Sequence, residues 1–464
     1  MKTKTYILIF SLLFFVNISY SQTKKVTVDA FDTKGSFEMI VGAHGKPEND
    51  GNSFIEIYKK LGFEAMRNHD NYGPTDWYTI FPNWDADEEK ESSYDFRTSD
   101  SYILAMKNAG FDILFRLGSS WKGKNKRPVN DPPGTIRDSK GKITHKADEK
   151  DFKKFAVICK HIVMHYNNGW ANGHYLNIKK WEIWNEPSLS KQFWSGDYKQ
   201  FREMFAEVAL TLKKYDNSLI IGGPGQEGMS EKQDFIDNLF SYCQKLNVPI
   251  DFYSFHTYGG LKESLNPYEV VKKYNLFRGK LDKYGYQNTY ISCTEFNAGP
   301  SGMHSNSSTA AAFVGAFLTY SELNNIKESY FYRADDHPMG LIGERNGKLR
   351  TEGYAFIAWK TLKENTVRIS ATGGNEKGFT VIASKDKSTG KVYILISNFP
   401  SENSNVDLSI LNLKEGTHKL TRREISGSLN YEIAETKNIQ SGSSGEAVYR
   451  FLCKANTLSL IEVE

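Results

Sequence analysis

The sequence predicts an α/β fold: a (β/α)8 TIM barrel followed by a C-terminal, all-β, sandwich-like accessory domain. Three observations predict it. From Ser36 to Leu362, short β-rich runs alternate with longer runs whose apolar residues recur at three- and four-residue spacing. Eight strand candidates can be counted, which favours a closed barrel over an open sheet. After about Glu364 the helical period stops, and strand-like runs separated by Gly- and Ser-rich turns replace it.

Taken in order, residues 1–21 read as a secretory leader. Lys2 and Lys4 form its charged start, Ile7 to Val16 its apolar core, and Ser19-Tyr20-Ser21 a small-x-small cleavage site before Gln22. The apolar run is shorter than the ~20 residues a membrane span needs, and no cysteine follows it to take a lipid. The mature chain is therefore expected in the periplasm or secreted, with no stable membrane insertion. Within residues 22–35, the strand Lys25–Ala30 is expected to pair into the β domain.

The barrel is assigned to residues 36–365. Its strands are read at Phe37–Val41, Glu64–Arg67, Phe111–Leu117, Lys180–Trp184, Leu219–Gly222, Phe252–His256, Tyr290–Glu295 and Glu328–Tyr332. Helices are read at Phe152–Tyr166, Tyr198–Tyr215, Lys232–Leu246, Val270–Tyr284, Thr309–Leu323 and Gly353–Leu362. No Gly-x-Gly-x-x-Gly follows a strand, so a nucleotide-binding sheet loses its main support. The β domain, residues 366–464, is read as strands Thr380–Ser384, Lys391–Asn398, Asn405–Ile410, His418–Ile425, Ala447–Leu452 and Thr457–Val463.

A net charge of +4 over 464 residues is too balanced for a nucleic-acid-binding surface. Cys159, Cys243, Cys293 and Cys453 show neither zinc spacing nor a disulfide framework, although one bridge is compatible with them. Aromatic residues make up 14% of the chain, a composition that suits stacking on sugar faces and equally suits a large core.

The stretch that organises the chemistry is Lys180-Trp181-Glu182-Ile183-Trp184-Asn185-Glu186-Pro187. Pro187 cannot continue a β ladder, so the strand stops and leaves Asn185 and Glu186 at its C-terminal end, the barrel's catalytic rim. Tyr290-Ile291-Ser292-Cys293-Thr294-Glu295-Phe296-Asn297 delivers a second carboxylate, Glu295, in the same way. The two glutamates are 109 residues apart, room for three βα units of ~35–40 residues. Two carboxyl groups facing one pocket are what glycosidic bond cleavage needs. One protonates the leaving oxygen, while the other meets the positive charge growing at the sugar carbon.

Other strand ends converge on that rim. The first ends in Gly42-Ala43-His44 and the second in Arg67-Asn68-His69-Asp70. Arg67 would keep a neighbouring carboxylate ionised, with a structural ion pair as the competing reading, and His69 would reach a sugar hydroxyl. The sixth strand supplies His256 to orient a glutamate and Tyr258 to donate to one. Asn297 either lines the pocket or caps a turn. The eighth ends in Tyr332-Arg333-Ala334-Asp335-Asp336-His337, where Arg333 and Asp335 are candidate substrate contacts. Adjacent Asp335 and Asp336 are poorly placed to ligate one ion together, so neither a metal nor a cofactor is expected.

Trp181-Glu182-Ile183-Trp184-Asn185-Glu186-Pro187-Ser188-Leu189, then Phe193-Trp194, Gly222-Gly223-Pro224 and Thr294-Glu295-Phe296-Asn297, resemble glycoside hydrolase family 39. Asp251–Tyr258 and Ala65–His69 are similar to that family's sixth and second strands. The resemblance covers roughly residues 36–365 and implies a retaining glycosidase with β-xylosidase- or α-L-iduronidase-like activity on a carbohydrate. It implies Glu186 as acid/base, Glu295 as nucleophile, and Asn185 as a contact to the sugar 2-hydroxyl. One departure bears on substrate. Ser120-Trp121-Lys122-Gly123-Lys124-Asn125-Lys126-Arg127, with Arg333 and Arg345, adds positive charge to the rim, which suits a uronic acid or sulfated polysaccharide. A solvated loop is the competing reading of that run. The resulting expectations are a β-xylosidase-like exo-hydrolase, a uronidase on an acidic polysaccharide, or a sugar-binding barrel without catalysis.

Overall fold

A computed structural model of the chain describes residues 23–69, 73–120, 130–189, 192–227, 233–259, 265–299, 304–374, 378–399 and 402–464. The expected leader, Asp70, Trp121 and the basic run Lys122–Arg127 lie outside the described residues.

Eight parallel strands, Ile40–His44, Ala65–Arg67, Asp112–Leu117, Lys180–Ile183, Ile220–Gln226, Phe252–Thr257, Tyr290–Phe296 and Glu328–Phe331, close into a barrel in chain order. The last pairs with the first, Glu328 opposite Ile40 and Phe331 opposite Ala43. The sixth strand is buried along its whole length, which is why such strands read as continuous apolar runs rather than alternating ones. The first strand begins three residues later than its pattern predicts. The Glu38 and Met39 amides donate instead to the Glu322 carboxylate, at 3.2 and 3.1 Å, so this lead-in never joins the ladder.

A helix follows each strand: Ile55–Leu61, Arg97–Asn108, Glu149–Asn168, Tyr198–Tyr215, Gln233–Lys245, Glu269–Lys283, Ser308–Leu323 and Gly353–Lys363. Two of them start at reciprocal caps. Asp148 accepts from the Lys150 and Asp151 amides while Asp151 returns a bond, and Asp197 and Gln200 do the same. Arg97–Asn108 escapes the sequence pattern because one of its four buried positions is Ser99, beside Tyr102, Ile103 and Met106.

Of the remaining strands, Glu48–Asn49 pairs with Asn52–Ser53 and Ile136–Arg137 with Ile143–His145, and the other nine form one sheet. Its order is Asn430–Ser441, Gly416–Ile425, Thr457–Val463, Val392–Asn398, Phe379–Asp386, Thr366–Thr372, Thr23–Gly35, Ser404–Leu411 and Ala447–Cys453. The N-terminal strand thus sits inside the C-terminal sheet, antiparallel to Thr366–Thr372 and parallel to Ser404–Leu411. The sheet curls, and Val28, Ile394, Leu408, Tyr449 and Ile461 share a core between its halves. Its end strands are bridged where Tyr449 donates to Glu435 at 2.6 Å.

Successive residues of a strand face opposite sides, and here both sides are buried. Ile394, Ile396 and Ile461 face the sheet's own core, while Leu395, Leu458 and Leu460 join the barrel's. Between the two lies Ser308–Leu323, buried at every residue from Ala310 to Glu322. A helix that is apolar all round fits only where it is covered all round. Gly315 makes the closest approach, since a Cβ there would lie 2.4 Å from a Leu458 methyl. Ser397 donates to the Ala312 carbonyl at 2.6 Å across the same contact. Replacing Leu458, 1% exposed, by Ala should cost about 2–5 kcal/mol in urea denaturation. A change below about 0.5 kcal/mol would mean that this seam contributes nothing.

Candidate active site

The fourth strand stops at Ile183, and the backbone then turns left-handed at Trp184 (φ 73°) and Glu186 (φ 44°). Such positions cost non-glycine residues of order 1–3 kcal/mol and persist only where neighbours hold them. The holders are visible: the Trp184 indole donates to the Phe193 carbonyl at 2.9 Å, and the Glu186 amide to the Pro224 carbonyl at 3.1 Å.

Arg67, the last residue of the second strand and fully buried, meets this turn from across the barrel. Its Nε donates to Glu182 at 2.6 Å, one Nη to Glu295 at 2.9 Å, and the other to the Asn185 side-chain oxygen at 2.8 Å. Glu182 also accepts from the Thr294 hydroxyl at 2.9 Å. Tyr258 donates to the second Glu295 oxygen at 2.6 Å. His256 Nδ1 lies 2.7 Å from a Glu186 oxygen and 3.5 Å from Glu295. One oxygen of Glu186 and one of Glu295 are within 4.8 Å of each other.

The electrostatics separate the two glutamates. Burial pushes Glu186 up to about 7, with Arg67 and Lys273 only partly opposing it. Burial also raises Glu295, and the charge on Glu186 raises it further; Arg67 and the Tyr258 hydrogen bond pull it back. The proton the pair retains therefore belongs on Glu186, which has no direct guanidinium contact among the described residues. His256 is held down to about 4 by burial, so its ring is neutral when Glu186 titrates. Nδ1 can accept from protonated Glu186 or, in the other tautomer, donate to its carboxylate. Burial, with Arg116 and Arg67 nearby, likewise keeps His69 neutral, its Nε2 3.8 Å from Glu295.

Glu186, Glu295, Asn185, Arg67, His256, Tyr258 and His69 are thus brought together. Three other residues read as substrate contacts are placed differently. Asn297 donates to the Tyr332 and Met339 carbonyls at 2.5 and 3.1 Å and accepts from the Ala298 amide at 2.6 Å, so it caps the turn. Arg333 and Asp335 form a two-pronged ion pair with each other at 2.6 and 2.5 Å, because a buried guanidinium requires a carboxylate. Asp336 turns instead to Lys46 and Asn49, at 3.0 and 2.7 Å, which disperses the acidic cluster. Arg345 is exposed on the following loop.

Sequence reasoning missed Glu182 and Thr294 as parts of the site. The signal for Glu182 was available: a charged residue inside an apolar strand must find a buried partner. His44 also contributes, its Nε2 2.7 Å from the Thr294 carbonyl beside Glu295. The four cysteines are buried free thiols.

The family model for glycosyl hydrolases family 39 matches residues 42–334. The chain belongs to this family. Family 39 enzymes hydrolyse glycosidic bonds, and the paired carboxylates are the groups such chemistry requires. A curated "Beta-xylosidase" of Caldicellulosiruptor saccharolyticus is 28% identical over 253 residues, covering 52% of this chain and 47% of that protein. The chain thus spans about half the length of the curated relatives it matches, 47% and 55%. Among solved structures, a glucosidase from Croceicoccus marinus aligns with a TM-score of 0.78 at 21% identity, over 96% of this chain and 99% of that one. A monomeric beta-xylosidase from Caulobacter crescentus CB15 gives 0.71 at 18%, over 95% and 99%. At these identities the likeness to the solved structures is one of fold.

If Glu186 must carry the proton, activity falls as pH rises through the value at which it ionises. The basic limb of the kcat/KM profile should titrate near 7. A limb that stays flat to about pH 9 would remove Glu186 from the proton transfer.

Proposed function

We propose that the chain is an exported, retaining exo-glycosidase that hydrolyses β-xylosides by double displacement. One observation carries the retaining reading: carboxyl oxygens of Glu186 and Glu295 come within 4.8 Å. Retaining pairs stand about 5–5.5 Å apart, whereas an inverting pair needs about 6.5–9.5 Å to admit water between them. Xylose as the sugar is supported by the curated relative named above, and export by the leader pattern of residues 1–21.

In the first step Glu295 attacks the anomeric carbon as the glycosidic C–O bond breaks, and the Glu186 proton passes to the leaving oxygen. Glu295 loses its charge on forming the ester, while Arg67 keeps its hydrogen bonds to Glu182 and Asn185. In the second step Glu186, now ionised, takes a proton from water, which attacks the same carbon and releases Glu295. Arg67 fixes the Asn185 amide through its oxygen. The amide nitrogen has no hydrogen-bond partner among the described residues and becomes the donor to the sugar 2-hydroxyl. Arg333 is paired with Asp335 through Nε and one Nη, so it lends an acidic substrate less support than its place at the strand end suggests.

Glu295→Gln should abolish turnover, by at least about 10⁴-fold, and should abolish labelling by a mechanism-based fluoroglycoside. Glu186→Ala should lose most activity on aryl xylosides with poor leaving groups and little on those with good ones. Equal loss across the series contradicts its role as the acid. On a panel of aryl β-xyloside, β-glucoside and α-L-iduronide, turnover should favour the xyloside, with the β-anomer of the product formed first by NMR. Preference for the iduronide would transfer the assignment to an acidic substrate, and no turnover on any would favour a binding protein.

A further inference from the structure

Away from the catalytic rim, Asp100 of helix Arg97–Asn108, His165 in the last turn of helix Glu149–Asn168 and His174 in the following loop meet. One ligand atom from each lies within 4.8 Å of the others. His165 Nε2 is 2.9 Å from one Asp100 oxygen, and His174 Nε2 is 3.4 Å from the other. Zinc bonds of about 2.0–2.2 Å in a tetrahedral shell place neighbouring ligand atoms about 3.3–3.6 Å apart.

The hydrogen bonding of His165 is incomplete without a cation. Its Nδ1 lies 2.9 Å from the Trp170 carbonyl, which only accepts, so Nδ1 carries the hydrogen. In the neutral ring, Nε2 then presents a lone pair to a carboxylate. A second proton would relieve this, and so would a metal ion. Two observations favour the metal. His174 Nε2 is buried and makes no well-formed hydrogen bond among the described residues, its approach to Asp100 being a loose 3.4 Å, and a proton on His165 would leave it so. The bond from His165 to a backbone carbonyl also fixes the tautomer and ring orientation a metal ligand needs.

The backbone holds the two rings together. The His174 amide donates to the His165 carbonyl at 2.6 Å. Gly173 permits this, since a Cβ there would lie 2.2 Å from that carbonyl oxygen and 2.7 Å from His165 Nδ1. Phe96 stacks on the far face of the His165 ring at 3.5 Å. The side chains of Asp100 and His174 are 24% and 27% exposed, which leaves a way in for the ion and room for a water as fourth ligand.

We propose that Asp100, His165 and His174 bind one divalent transition-metal ion of the zinc class, which clasps two barrel helices and takes no part in glycoside chemistry. Two other groups, Glu186/His256/Glu295 and His145/Asp148/Asp151, have similar spacing, so the test must separate them. Metal-stripped full-length chain is titrated with zinc chloride by calorimetry, and its melting temperature is followed, beside His174→Gln and Asp100→Asn, with circular dichroism checking the fold. One saturable zinc per chain is expected, weakened at least about tenfold in each variant. Zinc should raise the melting temperature by about 2–4 °C in the unmodified chain and in neither variant. The absence of saturable binding below roughly 100 μM, or undiminished binding in either variant, overturns the site.

Discussion

A single guanidinium holds the catalytic rim together. Arg67 touches Glu182 of the fourth strand, Glu295 of the seventh, and Asn185 just beyond the fourth, and it has no exposure to water. Three carboxyl groups, Glu182, Glu186 and Glu295, lie near one buried Arg. Such a cluster cannot hold every acid ionised, because each further buried negative charge meets less compensation than the last. The geometry decides which acid keeps the proton. Glu182 and Glu295 have direct contacts to Arg67, whereas the side-chain partner of Glu186 among the described residues is the neutral His256 ring. Acid and nucleophile are thus distinguished by the reach of one side chain across the barrel. Without Arg67 the three strands would also lose their only common polar contact among the described residues.

The β sheet bears on this site, although none of its residues touches it. Phe296, next to Glu295, stacks on Phe317 of the buried helix at 3.9 Å, and Phe313 of that helix meets Phe399, the residue just past the sheet strand Val392–Asn398, at 5.7 Å. The seventh strand is therefore backed by a packed path running from nucleophile to helix to sheet. Packed interiors transmit displacement rather than absorb it. The sheet's role in this arrangement is to fix the seventh strand's helix. A barrel helix with no polar face would otherwise have no stable position in water.

Much of this was legible in the sequence, and the reasons are physical. Barrel strands buried on both faces read as compact apolar runs, so all eight could be located, and Pro187 marked where the fourth had to end. The two carboxylates were visible because an acid at the end of such a run has few structural uses. Strands with little burial were not visible. Asn430–Ser441 is an edge strand whose residues are mostly exposed or half-exposed, so its polar sequence lacks the two-residue alternation that reveals a strand. Thr366–Thr372, partly buried on both sides, was missed for a related reason.

Asn297, which the sequence left as pocket lining or turn cap, and Arg333 and Asp335, read as substrate contacts, show that sequence assigns each polar residue a potential for contact without saying whether that potential is already spent. Strand ends of a barrel crowd polar groups into a space without water, and they must satisfy one another before any ligand arrives. Asn297 spends both ends of its amide on main-chain groups, and Asp335 cancels Arg333. Valence left over is the better indicator of function. By that criterion the amide nitrogen of Asn185, Nε2 of His256 and Nδ1 of His69 stand out, all buried and without a hydrogen-bond partner among the described residues. These three border the same two glutamates, where a sugar's hydroxyls would have to be held.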